Sequence, residues 1–174
     1  MLGNAVWNTG SNGSSYGYYD IDTAEFYELE RSENTGKICT SGDNCNDTVE
    51  RTTTWTGKVG LMYPSDYGYA TSGGSTTDRA TCLNKELFNW DDSSVSDCKN
   101  NDWLFNSSYQ WTLSPFVDDS DDVAFPVFEV YSSGYVGSDY AMVENGVRPV
   151  GYLLSNVKIS SGTGSESDPF ELTD

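Results

Sequence analysis

Hydrophobic and polar positions along this chain switch between helical and alternating patterns, with long polar stretches between them. Ala5-Val6-Trp7 reads as a short strand, and a Gly/Ser/Tyr-rich loop follows it as far as Tyr19. Asp22-Thr23-Ala24-Glu25 has the spacing of a helix-starting capping box with Asp in place of Ser or Thr, and Phe26 and Leu29 continue it at helical spacing. Residues 32–54 are polar and predict an insertion or hairpin. Residues 58–63 read as a strand stopped by Pro64-Ser65-Asp66, and 71–78 as a Ser/Thr/Gly loop. A second helix is predicted over 79–90, with Ala80, Leu83, Leu87 and Trp90 on one face. Four strands are predicted over 109–113, 123–131, 134–140 and 147–154. Ser160-Ser161-Gly162-Thr163-Gly164-Ser165 then reads as a turn in a C-terminal extension over 155–174. Two helices early and a mainly antiparallel sheet late predict a loop-rich α+β fold.

Composition shows how such a chain builds a core. It has 174 residues, which suits a single domain over 1–174, and only 36% are apolar. Five Trp, twelve Tyr and seven Phe compensate, because each buried ring removes roughly 150–250 Å² from water. The formal net charge of −18 opposes nucleic acid, whose binding needs a Lys/Arg footprint, and equally opposes an anionic membrane surface. Two readings of that charge stand: a soluble, self-repelling exterior, or attraction to a cationic or Ca²⁺ partner.

The four cysteines fall into two local pairs by spacing, Cys39 with Cys45 and Cys82 with Cys98. Nothing has the C-x-x-C spacing of a zinc ribbon, so two structural disulfides and an oxidising compartment are expected, against the alternative of four free thiols. Histidine is absent, which removes Ser-His-Asp, Cys-His and His-metal arrangements. No Gly-rich phosphate loop is present either, since Gly10-Ser11-Asn12-Gly13-Ser14-Ser15-Tyr16-Gly17 lacks both the spacing and the following Lys-Ser/Thr. The expectation is a chain that is not an enzyme and takes no cofactor. No apolar run approaches the roughly 20 residues of a membrane span. The export signal of an extracellular protein would then lie elsewhere in a longer, surface-anchored chain.

Asp118-Asp119-Ser120-Asp121-Asp122 concentrates four carboxylates between aromatic segments. It lacks the D-x-[DN]-x-[DN]-G loop and the glycine turn of an EF-hand, so a solvated acidic turn or a recognition surface fits better than a metal site.

An ordered series of motifs carries a resemblance. Gly60-Leu61-Met62-Tyr63-Pro64-Ser65-Asp66-Tyr67-Gly68-Tyr69 is followed by Asn101-Asp102-Trp103-Leu104, then Trp111-Thr112-Leu113-Ser114-Pro115, then Gly146-Val147-Arg148-Pro149-Val150. This resembles bacterial surface domains with a Trp-x-x-Ser-Pro … Gly-Val-Arg-Pro pattern. Through them it resembles C-type-lectin-like folds, including relatives of formylglycine-generating enzymes and variable proteins diversified by retroelements. The resemblance covers roughly residues 55–155 and implies a C-type-lectin-like scaffold with two helices and a twisted sheet. Trp103 and Trp111 would be core aromatics between sheet and helices, and Arg148 a structural arginine bonded to a carboxylate or loop carbonyls. The Ca²⁺-binding tripeptides of sugar-binding lectins are missing, so calcium-dependent sugar recognition is not implied.

Residues 116–145 combine Tyr131, Tyr135 and Tyr140 with Asp118, Asp119, Asp121, Asp122 and Asp139, among small residues and without Lys, Gln or Trp. Tyr with small polar residues is the composition of paratopes. The expectation is therefore a secreted or cell-surface domain that binds a protein or glycan ligand on another cell or surface. These eight residues would form the binding face, on a segment that varies between copies. Aspartates would pair with a basic patch and tyrosines would supply anchor area. The alternative is a structural subunit or packing module of a pilus or surface fibre. Strand alternation puts only every second residue on one face, so not all eight can share it.

Overall fold

The structure is a computed structural model that describes residues 1–9, 20–31, 54–116, 126–165 and 167–174. Of the insertion expected over 32–54, all but Thr54, which opens β2, lies outside the described residues, as do Cys39, Cys45 and the cluster of Asp118, Asp119, Asp121 and Asp122. Among the described residues, ten strands and four α-helices follow in the order β1 (Ala5–Asn8), α1 (Thr23–Arg31), β2 (Thr54–Gly57), β3 (Gly60–Leu61), α2 (Pro64–Ala70), α3 (Arg79–Leu83), α4 (Asp97–Asn100), β4 (Gln110–Pro115), β5 (Pro126–Val130), β6 (Val136–Tyr140), β7 (Gly146–Val147), β8 (Pro149–Val150), β9 (Lys158–Ser161) and β10 (Glu171–Thr173). The fold is α+β with mostly antiparallel sheets, as the pattern predicts. No described helix is long and apolar enough to cross a membrane.

Local chemistry explains where each helix starts. The capping box at α1 forms in full: Asp22 Oδ1 accepts from the amides of Ala24 and Glu25, and Glu25 Oε2 accepts from the amide of Asp22 at 3.1 Å. Helix α2 was not expected from the sequence, where Pro64 reads as a strand stop. Pro64 instead occupies the first helical turn, where its missing N–H costs nothing, and Asp66 Oδ2 accepts from the amide of Tyr63 at 2.9 Å. Only residues 60 and 61 of the strand predicted over 58–63 remain extended and paired.

The helix predicted over 79–90 is a correction. Asp78 caps α3 at the amide of Thr81, but α3 ends at Leu83 because the Asn84 amide closes the last turn onto Ala80 and Cys82. A separate 3₁₀ turn, Leu87–Asn89, then carries Leu87 and Trp90 inward while Ala80 stays exposed. The strand predicted over 147–154 is also broken up. Gly146–Val147 pairs in parallel with β4, Pro149–Val150 pairs with β3, and Leu153 makes only a bridge to Leu2. In the C-terminal extension the turn expected over 160–165 begins only at Gly162, because Ser160 and Ser161 belong to β9, and the loop from Gly162 leads into its antiparallel partner β10.

The main sheet runs β6-β5-β4-β7. Helices and 3₁₀ turns cover its inner face, where Phe26, Met62, Tyr67, Leu87, Trp90, Leu104, Phe128, Val130 and Val136 form one buried cluster. Phe26 meets Phe128 edge-on at 5.1 Å, and Tyr67 lies 5.4 Å from Trp90. The Cys82–Cys98 disulfide forms as expected, with its Cα atoms 5.4 Å apart, and ties α3 to α4 beneath this cluster. Beside it Trp7 is buried against Tyr63 and Tyr152, and its indole N–H donates to the Gly57 carbonyl at 3.1 Å.

Glu30 at the end of α1 is buried and joins the two N-terminal helices. Its carboxylate accepts from the Ser65 amide at 3.0 Å and from the Ser65 hydroxyl, in the first turn of α2. That turn has amides without intrahelical partners, and a carboxylate also suits the positive end of the helix dipole. Replacing Glu30 by Ala would strand two buried donors. Urea denaturation of Glu30→Ala is expected to show a loss of about 3 kcal/mol, against about 1 kcal/mol or less for Glu25→Ala at the exposed cap of α1.

Candidate functional site

The sheet's outer face is set by strand register. Trp111 on β4 stands opposite Glu129 on β5, and Glu129 stands opposite Gly137 on β6. Phe128 and Val130 point into the apolar cluster, so Glu129 must point to the other side. Counting by twos, Tyr131, Tyr135 and Asp139 share that outer face with it, whereas Tyr140 takes the opposite parity at the exposed end of β6.

A three-residue turn brings the two tyrosines together. The Tyr131 amide donates to the Tyr135 carbonyl at 2.9 Å, and the Gly134 amide donates back to the Tyr131 carbonyl at 2.9 Å. Gly134 has φ +98°, the region such loops reserve for glycine. The two rings stack, with centroids 4.2 Å apart and planes 17° from parallel. They lean over Gly137, where a Cβ would come within 2.7 Å of the Tyr131 ring. Tyr109 meets Tyr131 at 5.2 Å and Phe88 meets Tyr135 at 5.2 Å, so four rings form a continuous row, Tyr109–Tyr131–Tyr135–Phe88.

Glu129 lies under this row at 0% exposure. One carboxylate oxygen accepts from the Asn145 side-chain amide, and among the described residues Oε1 has no hydrogen-bond partner. Burial, with the charge of Asp139 next to it, pushes the Glu129 carboxyl up to about 7, and the Tyr131 hydroxyl draws it back only in part. Burial also raises Tyr131, helped by Tyr135 and Glu129. It raises Tyr135 as well, with Asp91 adding to the effect. The Tyr131 hydroxyl donates to the Ser138 carbonyl at 3.2 Å.

The scaffold residues divide. Arg148 is structural, donating from Nε to Gln110 Oε1 and from Nη2 to the Leu104 carbonyl, each at 3.0 Å. Trp103 is a correction, since it is 74% exposed rather than core. The turn around it is held by its neighbours: Asp102 accepts from the Leu104 amide at 2.7 Å and bridges to Thr71, which sends Leu104 inward and the Trp103 ring out. Trp111 is half-buried on the outer face, opposite the helices, because its register partner is Glu129. Asp102 is itself buried and raised to about 7 by that burial, although two backbone amides and the charge of Arg148 oppose the rise.

Sequence reasoning missed Glu129, Asn145, Tyr109 and Phe88. A signal for Glu129 was present: it is one carboxylate inside the apolar run Val127-Phe128-Glu129-Val130, two residues before Tyr131. The charge marks the strand's second face. No group of three or more His, Cys, Asp or Glu among the described residues is placed to hold a metal ion. No family model, curated protein or solved structure matches the chain.

The raised carboxyls fix a pH dependence. Glu129 and Asp102 move up from 4.5 and 3.8, so the folded chain holds protons that the unfolded chain has released. Stability from these two groups therefore falls as pH rises from about 5 through about 7. Asp78, Asp92 and Asp97 are lowered by the backbone and hydroxyl donors of their caps and loop, and their contribution is lost instead as pH falls through the acid range. Thermal midpoints are expected to peak near about pH 5 and decline toward about pH 8, and Glu129→Gln should flatten that decline.

Proposed function

We propose that this chain is an extracellular ligand-binding domain of the adhesin or receptor type, built on a C-type-lectin-like scaffold. Its binding surface is the outer face of the β6-β5-β4-β7 sheet. The observation that carries this reading is the ring row Tyr109–Tyr131–Tyr135–Phe88, which runs from beside Glu129 and Asp139 on the outer face to the 3₁₀ turn that holds Phe88, next to the edge strand β6. Partly exposed tyrosines on a stiff hairpin supply contact area at low entropic cost, the quality that suits them to recognition. The lectin-like scaffold rests on the motif series over 60–150, and the α+β architecture is compatible with it. The Cys82–Cys98 disulfide supports an oxidising, extracellular setting. The partner is a protein or glycan on another cell or surface, and variation between copies of the gene would concentrate in 116–145.

A second reading, a packing module of a pilus or fibre, is favoured by one feature. The β9–β10 hairpin is exposed along almost its whole length, with Ile159 and Phe170 both open to solvent. Concentration-dependent sedimentation that disappears when 158–173 is deleted would support it.

The binding reading predicts saturable attachment of the labelled monomer to arrays of extracellular protein ectodomains and glycans. The Tyr131→Ala/Tyr135→Ala double variant should lose about tenfold or more of that affinity. Trp103→Ala, away from the row, should lose about twofold or less. Equal loss in both variants would remove the outer face from the reading.

A further inference from the structure

The outer face has an unbalanced charge as well as a ring row. From Asn100 to Val147 the chain contains no Lys or Arg. The cations that flank this stretch are committed elsewhere. Lys99 donates to the Ser133 carbonyl at the hairpin turn at 2.6 Å, and Arg148 is bonded to Gln110 and the Leu104 carbonyl. Against them stand Glu129 under the rings, Asp139 two residues past Gly137, and Asp91 close enough to act on Tyr135. Among the described residues none of these three acids has an ion-pair partner.

A buried carboxylate is normally paired or fully hydrogen-bonded, because desolvation is otherwise uncompensated. Among the described residues Glu129 has only neutral donors, the Asn145 amide and the Tyr131 hydroxyl that draws on it in part, and its Oε1 has no hydrogen-bond partner. The missing element is a positively charged donor. The surrounding rings suit a cation as well, since tyrosine faces attract ammonium and guanidinium groups within about 6 Å.

Resting on the ligand-binding reading above, we propose that this face is a receptor for a single basic side chain, a lysine or arginine of a protein partner. That side chain is seated against Tyr131 and Tyr135 and paired with Asp139 and Glu129. Glu129 is closed to solvent in this arrangement, so to reach Oε1 the guest would have to displace the Asn145 side chain or the ring pair. The groups facing Glu129 are then Trp111 from β4, Gly137 and Asp139 from β6, Tyr131 and Tyr135 from the hairpin, and Asn145 from the segment before β7. None is basic. The guest therefore supplies the countercharge and draws the proton from Glu129, so that affinity rises with pH through about 7. A neutral glycan has no such charge to offer.

The test titrates the full chain with Nα-acetyl-lysine methylamide and Nα-acetyl-arginine methylamide, following the tyrosine ring protons by NMR. Nα-acetyl-norleucine methylamide and neutral methyl glycosides serve as uncharged probes. Saturable shifts of the Tyr131 and Tyr135 rings are expected with the two cations only, in roughly the millimolar range set by one ion pair and one ring contact. Glu129→Gln and Asp139→Asn should each weaken them about tenfold and remove the rise with pH, whereas Glu28→Gln on exposed α1 should change little. Unchanged cation affinity in Glu129→Gln, or equal shifts with norleucine or a glycoside, would overturn the proposal. If cations fail while array binding stays tyrosine-dependent, the basic-guest assignment falls and the binding face stands. If cations bind but no array target does, the site stands and the adhesin reading falls.

Discussion

A strand buried on both faces has to satisfy two environments with alternate residues, and β5 does this with opposite chemistry on its two sides. Phe128 and Val130 face inward against Phe26 and Val136, where shape and apolar area are all that matter. Glu129 faces outward between Trp111 and Gly137, equally shielded from water but carrying a carboxylate. The inner side supplies the hydrophobic drive that holds β5 in register. The outer side bears a desolvated acid that one amide only half satisfies. The raised carboxyl of Glu129 follows from that placement, and the missing Cβ of Gly137 beside it leaves the space over which the tyrosines lean.

The hairpin that carries the ring pair is held from beneath by two elements. The Tyr67 hydroxyl on α2 donates to the Gly134 carbonyl at 2.8 Å, and the Lys99 ammonium on α4 donates to the neighbouring Ser133 carbonyl. The Cys82–Cys98 bridge fixes α4, and so Lys99, to the core. Tyr67 is almost fully buried among Trp90 and the sheet, so its own position is set by packing, and burial raises its phenol strongly. A turn pinned at two successive carbonyls has little freedom, so the stacked rings above it are preorganised and a guest would lose little entropy by ordering them.

The N-terminal half acts as a brace for this arrangement. Glu30 joins α1 to the start of α2, and α2 presents Tyr67 to the hairpin. Arg148 does the same on the far side, tying the segment after β7 to Gln110 and the turn at Leu104. Chemically ordinary contacts far from the outer face thus fix the angle at which the rings are displayed.

Local rules read from sequence were sufficient where neighbouring residues decide the outcome. The α1 capping box, the Cys82–Cys98 pairing, the antiparallel run β4–β5–β6 and the α+β class all follow from spacings of a few residues or from simple periodicity. Tyr131 and Tyr135 stood out in the sequence only by composition, as tyrosines among small polar residues. Helix α2, the break in the predicted 79–90 helix and the exposure of Trp103 were not legible, because each depends on partners far along the chain: Glu30 for Ser65, Ile21 for the Leu87 amide, Thr71 for Asp102. Only tertiary structure could bring Asn145 to Glu129 and place Tyr109 and Phe88 on either side of the Tyr131–Tyr135 pair. Strand register, set by which residues the core excludes from water, decides which side chains meet across a sheet, and no local pattern contains that information.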